Sequence, residues 1–230
     1  MRLRSFQTVG FAASAWAMAT LLYWQVEVIH RGGPVMVPIV MCSIFALAIV
    51  LERLVYFIRL GAGQAAFFEA LREAVHHRRW SDAQTLCQQT PGAVARVAAV
   101  GLATREQSAE EIAQAMEEAA RDEQPVVEHH VRWLATLAQV STLLGLLGTV
   151  TGMVRAFQVI QHKATSGNPV SPGDLAGGIW EALITTVAGL EVAIPTILAY
   201  HYLLSRIVEV QFQMEKVARL VSGWRRHLSD

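Results

Sequence analysis

One uncharged stretch decides the fold class of this chain: WLATLAQVSTLLGLLGTVTGMV, residues 133–154. A second uncharged stretch is Gly32–Leu51, and a third apolar stretch, Ala182–Ser205, carries the single charge of Glu191. A helix that crosses a bilayer needs about 20 mostly apolar residues, and each stretch reaches that length. The sequence therefore predicts an all-α integral membrane protein with three core transmembrane helices.

The composition favours a membrane protein and excludes several other classes. Hydrophobic residues make up 53% of the chain and charged residues 17%, whereas soluble domains carry about 25% charged residues. The charges of the 19 basic and 19 acidic residues cancel. The chain therefore has no net positive charge that would favour nucleic acid as a partner. Cys42 lies in an apolar stretch and Cys87 in a polar one. We expect two reduced thiols, which excludes a secreted disulfide scaffold, and the apolar content excludes disorder.

The N-terminal segment contains a further uncharged stretch, Ser5–Val26, after the basic start at residues 1–4. Three interpretations are open: a cleaved signal ending at the small residues of Ala15–Ala17, an uncleaved anchor helix, or a segment along the outer interface. We favour an uncleaved apolar helix, because no polar cleavage region follows. This helix would be a fourth beside the three core spans.

The basic residues predict the orientation of the chain. Eight Lys or Arg residues lie between the first and second spans and five after the third, whereas Lys163 is the one in the loop between the second and third. Cytoplasmic loops are enriched in Lys and Arg, so the insert and the C-terminal tail are predicted to be cytoplasmic and the loop to lie outside. The predicted segments are an N-terminal apolar or interfacial segment 1–33, span one 34–58, a cytoplasmic helical insert 59–132, span two 133–160, an outer loop 161–177, span three 178–204 and a cytoplasmic tail 205–230.

The insert is predicted to be helical, with one break at Pro91–Gly92. Ser108 and Glu111 have the spacing of a capping box that opens a helix. Pro125 is expected to end or kink that helix. A further helix is predicted from Val126 to about Ile160.

Two stripes of small residues mark the second and third spans. In span two the stripe follows helical spacing: Ser141, Gly145, Gly148, Gly152 and Ala156. In span three it also carries hydroxyls: Ala182, Thr186, Gly189, Ala193, Thr196 and Tyr200. Thr142 and Thr149 lie on a neighbouring face of span two. A lone membrane threonine usually bonds its own helix carbonyl, but small stripes on two successive helices favour a surface that faces protein or a polar path.

Three residues of span three add to this pattern. Glu181 is placed at its outer end, and Glu191 lies near its middle, where an ionised carboxylate is costly and is a functional candidate by default. The alternative to a functional Glu191 is a structural one, in which its carboxyl group is protonated within the helix bundle or bonded to a neighbouring subunit. Pro195 removes one helix hydrogen bond, which favours a kink.

These motifs resemble the ExbB/TolQ/MotA proton-channel family over roughly residues 34–205. The similar segments are Leu143–Met153 with Ala156–Phe157, Ile179–Leu190 with Ala193–Pro195 and Tyr200, and Pro38–Ile39 with Ala46–Arg53. The order of the spans agrees as well. The length of the insert between the first two spans makes the chain more similar to ExbB and TolQ than to MotA, whose insert is longer. Glu191 and the extended N-terminus depart from the family pattern.

The resemblance implies a bacterial inner-membrane location with loop 161–177 in the periplasm, and a homo-oligomer, a pentamer, whose second and third spans surround a pore. It implies a single-span partner of the ExbD/TolR kind with a membrane aspartate, a TonB- or TolA-like energy transducer, and a lipid surround. Thr149 and Thr186 match the family's polar ring beside that aspartate, Glu181 its acidic residue near the periplasmic end, and Pro195 its span-three proline. The candidate proton-path residues are Thr142, Thr149, Thr185, Thr186, Glu181 and Glu191. The candidate packing residues are Gly145, Gly148, Gly152, Gly189 and Pro195.

Two other classes compete on the residues alone. In a structural membrane scaffold without an ion path, the small stripes would serve helix packing only. An intramembrane enzyme would need Glu181 and Glu191 as paired carboxylates, but ten helical residues separate them by about 15 Å. The sequence has no nucleophile motif, phosphate loop or metal-ligand spacing, and the pairs His76–His77 and His129–His130 are expected on solvated helix surface. We therefore predict no enzyme, no metal and no cofactor.

Overall fold

The computed structural model describes residues 32–61 and 63–226. The prediction for the N-terminal apolar segment falls on residues 1–31 and thus outside the described residues. Within those ranges the chain forms helices and no strand: α1 (Met36–Gly61), α2 (Gln64–His76), α3 (Trp80–Gln89), α4 (Ala93–Ala103), α5 (Ala109–Glu128), α6 (Val131–Thr165) and α7 (Pro172–Arg226).

Three helical stretches of the described residues are long and apolar enough to cross a membrane. They are Met36–His76, Ala109–Thr165 and Pro172–Trp224. Each covers all or most of one of the three apolar runs of the sequence. The predicted all-α fold with three core membrane helices is therefore confirmed.

The chain divides into two compact units. The first comprises the described residues up to 49 together with 133–200, and the second comprises the described residues of 50–132 and 201–226. The first unit thus holds the apolar parts of α1, α6 and α7. The second holds the region between the first two spans together with the C-terminal part of α7.

The core of the first unit joins α1 to α7. Met36 and Ile39 of α1 are fully buried against a row of α7 residues spaced four apart, and Val35 and Leu144 pack against the same cluster. That row consists of Ile184, Ala188 and Val192. Side chains four apart lie on one face of a helix, so this row defines the face of α7 that contacts α1.

The second unit is built from short amphipathic helices. The predicted apolar face of α5 is buried at Ile112 and Met116. Gly101 of α4 lies so close to Met116 that an added Cβ would overlap its sulfur. Cys87 is a buried free thiol, and burial raises its pKa to about 11. Near the surface, hydrogen bonding to the Glu123 carboxylate raises the pKa of Arg96.

The start of α5 agrees with the sequence prediction, but its end does not. The Ser108 hydroxyl accepts from the Glu111 amide at 3.2 Å, and the Glu111 carboxylate accepts from the Ser108 amide at 2.8 Å, which completes the capping box. The helix then continues through Pro125 to Glu128. A proline removes only one helix hydrogen bond, and here the helix tolerates that loss.

The insert has more helix breaks than the one predicted. The break at Pro91–Gly92 is present, with Gly92 at a φ of 129°. Further breaks occur at Arg78, which has a φ of 56°, and at His129–His130, where His130 has a φ of 61°. The helix predicted from Val126 therefore begins at Val131 instead.

The expectation that His129 and His130 lie on solvated helix surface is right about their exposure and wrong about the helix. They lie at the break between α5 and α6, and His130 Nδ1 lies 3.1 Å from a carboxylate oxygen of Glu52. One ligand atom each of Glu52, His129 and His130 lie within 4.8 Å of one another, a grouping that could hold a metal ion. However, the buried Arg53 guanidinium lies 2.8 Å from His129 Nδ1. A fixed cation at that nitrogen opposes a metal ion, so we assign no metal site here.

Candidate functional site

Glycines of α6 and α7 bring the two helix backbones into direct contact. A Cβ on Gly145 would stand 3.2 Å from the Thr185 carbonyl oxygen. A Cβ on Gly152 would stand 2.8 Å from the Ala182 amide nitrogen, and one on Gly189 would stand 2.6 Å from the Ser141 carbonyl oxygen. The small stripe of span two therefore faces span three of the same chain, where lipid-embedded helices use small residues for close approach.

The side of α7 that meets α6 contains Ala182, Thr186 and Gly189 of the predicted stripe, and it also contains Thr185, which the stripe did not include. Thr185 is buried opposite Gly148, where an added Cβ would overlap the Thr185 side chain. Its hydroxyl donates to the carbonyls of Glu181 at 3.0 Å and Ala182 at 2.9 Å. Thr185 thus fills the helix contact and lines no open surface of the first unit.

Thr186 links the two helices through a hydrogen bond. Its hydroxyl donates to the Gly145 carbonyl at 2.9 Å, and its side chain is half-buried. Because Gly145 has no side chain, its carbonyl is reachable from the neighbouring helix. This is an interhelical bond of the kind that polar side chains form between membrane helices.

The threonines of α6 bond locally. The exposed Thr142 donates to the Ala138 carbonyl at 3.1 Å, and the half-buried Thr149 donates to the Leu146 carbonyl. Such bonds to the preceding turn are ordinary for helical threonines. The hydroxyl oxygens keep acceptor capacity that these bonds do not use.

Thr142, Thr149 and Thr186 lie on the same flank of the contact between α6 and α7. Residues advance by about 100° along a helix. On α6, Leu144 turns toward α1, and Thr149 lies on the opposite side of the glycine stripe. On α7, Ala188 faces α1, and Thr186 lies on the other side of the contact with α6. The two helices thus present three hydroxyl-bearing residues on the flank opposite α1, which we call the threonine flank.

Glu181 forms an ion pair with Arg155 of α6. The Glu181 side chain is 17% exposed and that of Arg155 is 44% exposed. A Cβ on Gly33, which has a φ of 66°, would overlap the Glu181 carboxylate and stand 2.9 Å from the Arg155 guanidinium. The backbone just before α1, the C-terminal part of α6 and the N-terminal part of α7 therefore meet at this ion pair.

Arg155 is the site residue that the sequence reasoning missed. A basic residue just beyond an apolar run, on the side predicted to be periplasmic, runs against the usual Lys and Arg bias. That mismatch is the signal that could have identified it. A second ion pair, Lys163 to Asp174 at 2.6 Å, joins the end of α6 to the start of α7.

Ser141 and Glu191 lie within the spans without a hydrogen-bond partner among the described residues. The Ser141 hydroxyl is fully buried without one, beside the close approach of Gly189. Glu191 is half-buried, and no hydrogen bond or ion pair joins it to the described part of the chain. Pro195 is also half-buried, and α7 continues through it.

These observations define a class of protein before any comparison. Three apolar helical stretches, two of them in a glycine-mediated contact that carries hydroxyls on one flank, describe a multi-pass membrane protein. Residues 89–216 match the MotA/TolQ/ExbB proton channel family. That match covers more than half of the chain, which therefore belongs to this family.

Individual relatives agree with the family match. The chain is 31% identical to a protein named ExbB-like 3 of Synechocystis over 167 residues, which cover 73% of this chain and 79% of that protein. It is 34% identical to biopolymer transport protein exbB1 of Vibrio cholerae, over 41% of this chain and 40% of that one. It is 41% identical to the Tol-Pal system protein TolQ of Haemophilus influenzae, over 37% and 36% of the two chains. Membership in a channel family, rather than an enzyme family, follows.

Proposed function

We propose that this chain is the channel subunit of an ExbB/TolQ-type complex in a bacterial inner membrane, which converts proton motive force into mechanical work on an envelope protein. The observation that carries the proposal is the shared flank of Thr142, Thr149 and Thr186, opposite the side of the α6–α7 contact that α1 occupies. The family match and the names of the relatives support the same class of activity.

The proposal requires partners that supply the titrating group. Among the described residues, no carboxylate lies on the threonine flank. A single-span partner of the ExbD/TolR kind would bring its membrane aspartate to this flank, inside a ring of several copies of the chain, a pentamer. A TonB- or TolA-like transducer would then receive the motion.

The threonine hydroxyls supply a polar contact without a fixed charge. An ionised partner aspartate would accept hydrogen bonds from them, because a hydroxyl can redirect its proton from a backbone carbonyl to a carboxylate. A proton entering from the periplasm would neutralise that aspartate and weaken its hold on the hydroxyls. Release of the proton to the cytoplasm would restore the charge and the contact.

The energy available suits a mechanical step. One charge crossing a potential of 100 mV yields about 2.3 kcal/mol, several times the thermal energy RT. Helix packings that differ by a few kcal/mol can be switched by such an input. A relative rotation or sliding of the ring and its partner would transmit the work.

Glu181 and Glu191 both lie away from the threonine flank in this proposal. Glu181 is paired with Arg155 beside the backbone before α1, so it lies on the α1 side of the helix contact and outside the threonine flank. Glu191 is two residues from Gly189 of the contact face, about 160° around α7. It therefore stays outside the threonine flank.

A structural membrane scaffold without an ion path is the second candidate. The hydrogen bonds favour it, because every candidate threonine hydroxyl already donates to a backbone carbonyl. In a scaffold the threonines would need no partner carboxylate. Proton flux in vesicles that contain the chain and its single-span partner separates the two candidates.

The test replaces two flank threonines by an isosteric apolar residue. Thr149→Val with Thr186→Val keeps the side-chain shape and removes both hydroxyls. We expect the complex to assemble and proton-driven work to be lost. The control is Thr151→Val with Thr196→Val, since both hydroxyls donate to a carbonyl of their own helix, as that of Thr149 does, and neither lies on the threonine flank. Normal activity in the flank variant, or equal loss in the control, would falsify the threonine role.

A further inference from the structure

Two polar side chains of α6 and α7 lie beside exposed large apolar residues. Gln139 is exposed on α6, and Glu191 is half-buried on α7. Large apolar side chains are exposed near each of them, among them Leu143 on α6 and Val187 and Ile194 on α7. Neither polar side chain forms a hydrogen bond or an ion pair with the described part of the chain. A polar group in the hydrocarbon region is costly unless it is paired, so each needs a partner from outside the described part of the chain.

The two residues lie at nearly the same depth. α6 and α7 are antiparallel in the first unit, with Gly145 opposite Thr186 and Gly189 opposite the backbone between Ser141 and Gly145. Continuing this register places Glu191 opposite residue 141. Gln139 is two residues from that level, a difference of about 3 Å along the helix.

The two residues nevertheless lie on opposite outer sides of the α6–α7 pair. Gln139 is turned by about 120° to 180° from Gly145, Gly148 and Gly152 of the contact face, so it points away from α7. Glu191 is two residues from Gly189, which turns it about 160° away from α6. They cannot meet within one chain.

We propose that Glu191 of one copy of this chain hydrogen-bonds to Gln139 of the next copy. Copies related by an axis along the membrane normal keep equal depths, so residues at one level can meet between neighbours. Because the two residues lie on different faces, the contact is head-to-tail, the kind that closes into rings. The glutamine amide both donates and accepts, so it pairs with the carboxyl group in either protonation state. This inference rests on the assembly of several copies in the proposed function.

Cysteine cross-linking tests the proximity of the two positions in membranes. The background variant carries Cys42→Ala and Cys87→Ala, which removes both native thiols. With Gln139→Cys and Glu191→Cys in the same chain, mild oxidation is expected to give a ladder of covalent dimers, trimers and larger species. Each single-cysteine variant is expected to remain monomeric on denaturing gels, because a head-to-tail contact never brings like positions together.

The matched control pairs Leu146→Cys with Glu191→Cys. Leu146 lies seven residues from Gln139, on nearly the same face but about 10 Å away in depth. A ladder confined to the 139/191 pair supports the proposal. Three results would overturn the proposed contact. They are an equal ladder in the 146/191 control, a dimer from either single-cysteine variant, and no ladder although native mass spectrometry detects the oligomer. A chain that stays monomeric in native mass spectrometry overturns both this contact and the proposed assembly, whereas loss of proton-driven work alone would leave the contact standing.

Substitution of Glu191 tests the hydrogen bond itself. Glu191→Gln keeps a donor and an acceptor, and it should leave the oligomer population close to that of the unaltered chain. Glu191→Leu removes both, and the association constant per contact should fall by about threefold, the factor that corresponds to an average interhelical hydrogen bond in a membrane. Equal association of the Leu and Gln variants would overturn the hydrogen bond, since lipid or the single-span partner would then satisfy Glu191 instead.

Discussion

Gly189→Ala should weaken the helix contact on which the threonine flank depends. The new Cβ would stand 2.6 Å from the Ser141 carbonyl oxygen and 3.0 Å from the Gly145 Cα. Both are backbone atoms, so no side chain can rotate away. The two helices must separate by several tenths of an ångström to reach ordinary contact distance.

The expected cost follows from overpacking at a tight contact, typically about 1–3 kcal/mol. Alanine also favours the helix over glycine by up to about 1 kcal/mol, which partly offsets the cost. Gly177→Ala on the same helix receives the propensity gain without a clash, because its Cβ would meet nothing within 4 Å. The difference between the two variants therefore isolates the packing, and we expect Gly189→Ala to be about 1–3 kcal/mol less stable than Gly177→Ala.

The assay is reversible unfolding in mixed micelles, with increasing SDS and circular dichroism as the readout. Both variants are compared with the unaltered chain, and the free energy of unfolding is extrapolated to zero SDS. Equal stability of Gly189→Ala and Gly177→Ala would refute the close helix contact, since the helices would then be farther apart than the structure describes.

Three further predictions concern the ion pair, the turn before α1 and the buried thiol. Arg155→Ala should destabilise the chain more than Glu181→Gln, because Arg155→Ala leaves a mostly buried carboxylate unpaired. A double-mutant cycle should give a coupling free energy of at least about 0.5 kcal/mol. Additive effects of the two substitutions would contradict the ion pair. Gly33→Ala should lower the free energy of unfolding by at least about 1 kcal/mol, since the left-handed φ of Gly33 is strained for alanine and the new Cβ would displace the Arg155–Glu181 ion pair. The same SDS titration measures this loss, with Gly173→Ala as the control. In a Cys42→Ala chain, Cys87, with a pKa of about 11, should react with maleimide at about pH 8 at least a hundredfold more slowly than an unperturbed thiol. Its rate should rise about tenfold per pH unit until the pKa is reached, and fast labelling of this folded variant at about pH 8 would contradict the burial of Cys87.

The candidate site is predictable from the sequence only in part. The glycines of α6 and the threonines Thr149 and Thr186 follow from helical spacing and from the family resemblance. The partner of Glu181 does not, because Arg155 belongs to another helix and only the antiparallel packing brings the two together. Thr185 is among the predicted path residues, yet its position opposite Gly148 puts it inside the helix contact.

The helix boundaries of the insert show the same limit. The capping box at Ser108 is a local signal, since all of its atoms lie within one helical turn, and the sequence predicts it correctly. The break at His129–His130 involves contacts with Glu52 and Arg53, which are distant in sequence. A local pattern that pointed to Pro125 could not anticipate it.

The membrane fold, its three spans and the family follow from the order of residues, because hydrocarbon admits a long apolar stretch only as a helix and the glycine and threonine spacing lies within single helices. Three-dimensional packing settles which carbonyl receives the Thr186 hydroxyl, which cation pairs with Glu181, and which polar residues of the described spans lack a partner. Those outcomes depend on the rotation and register of one helix against another. Packing sets both, through glycines whose missing side chains let the backbones touch.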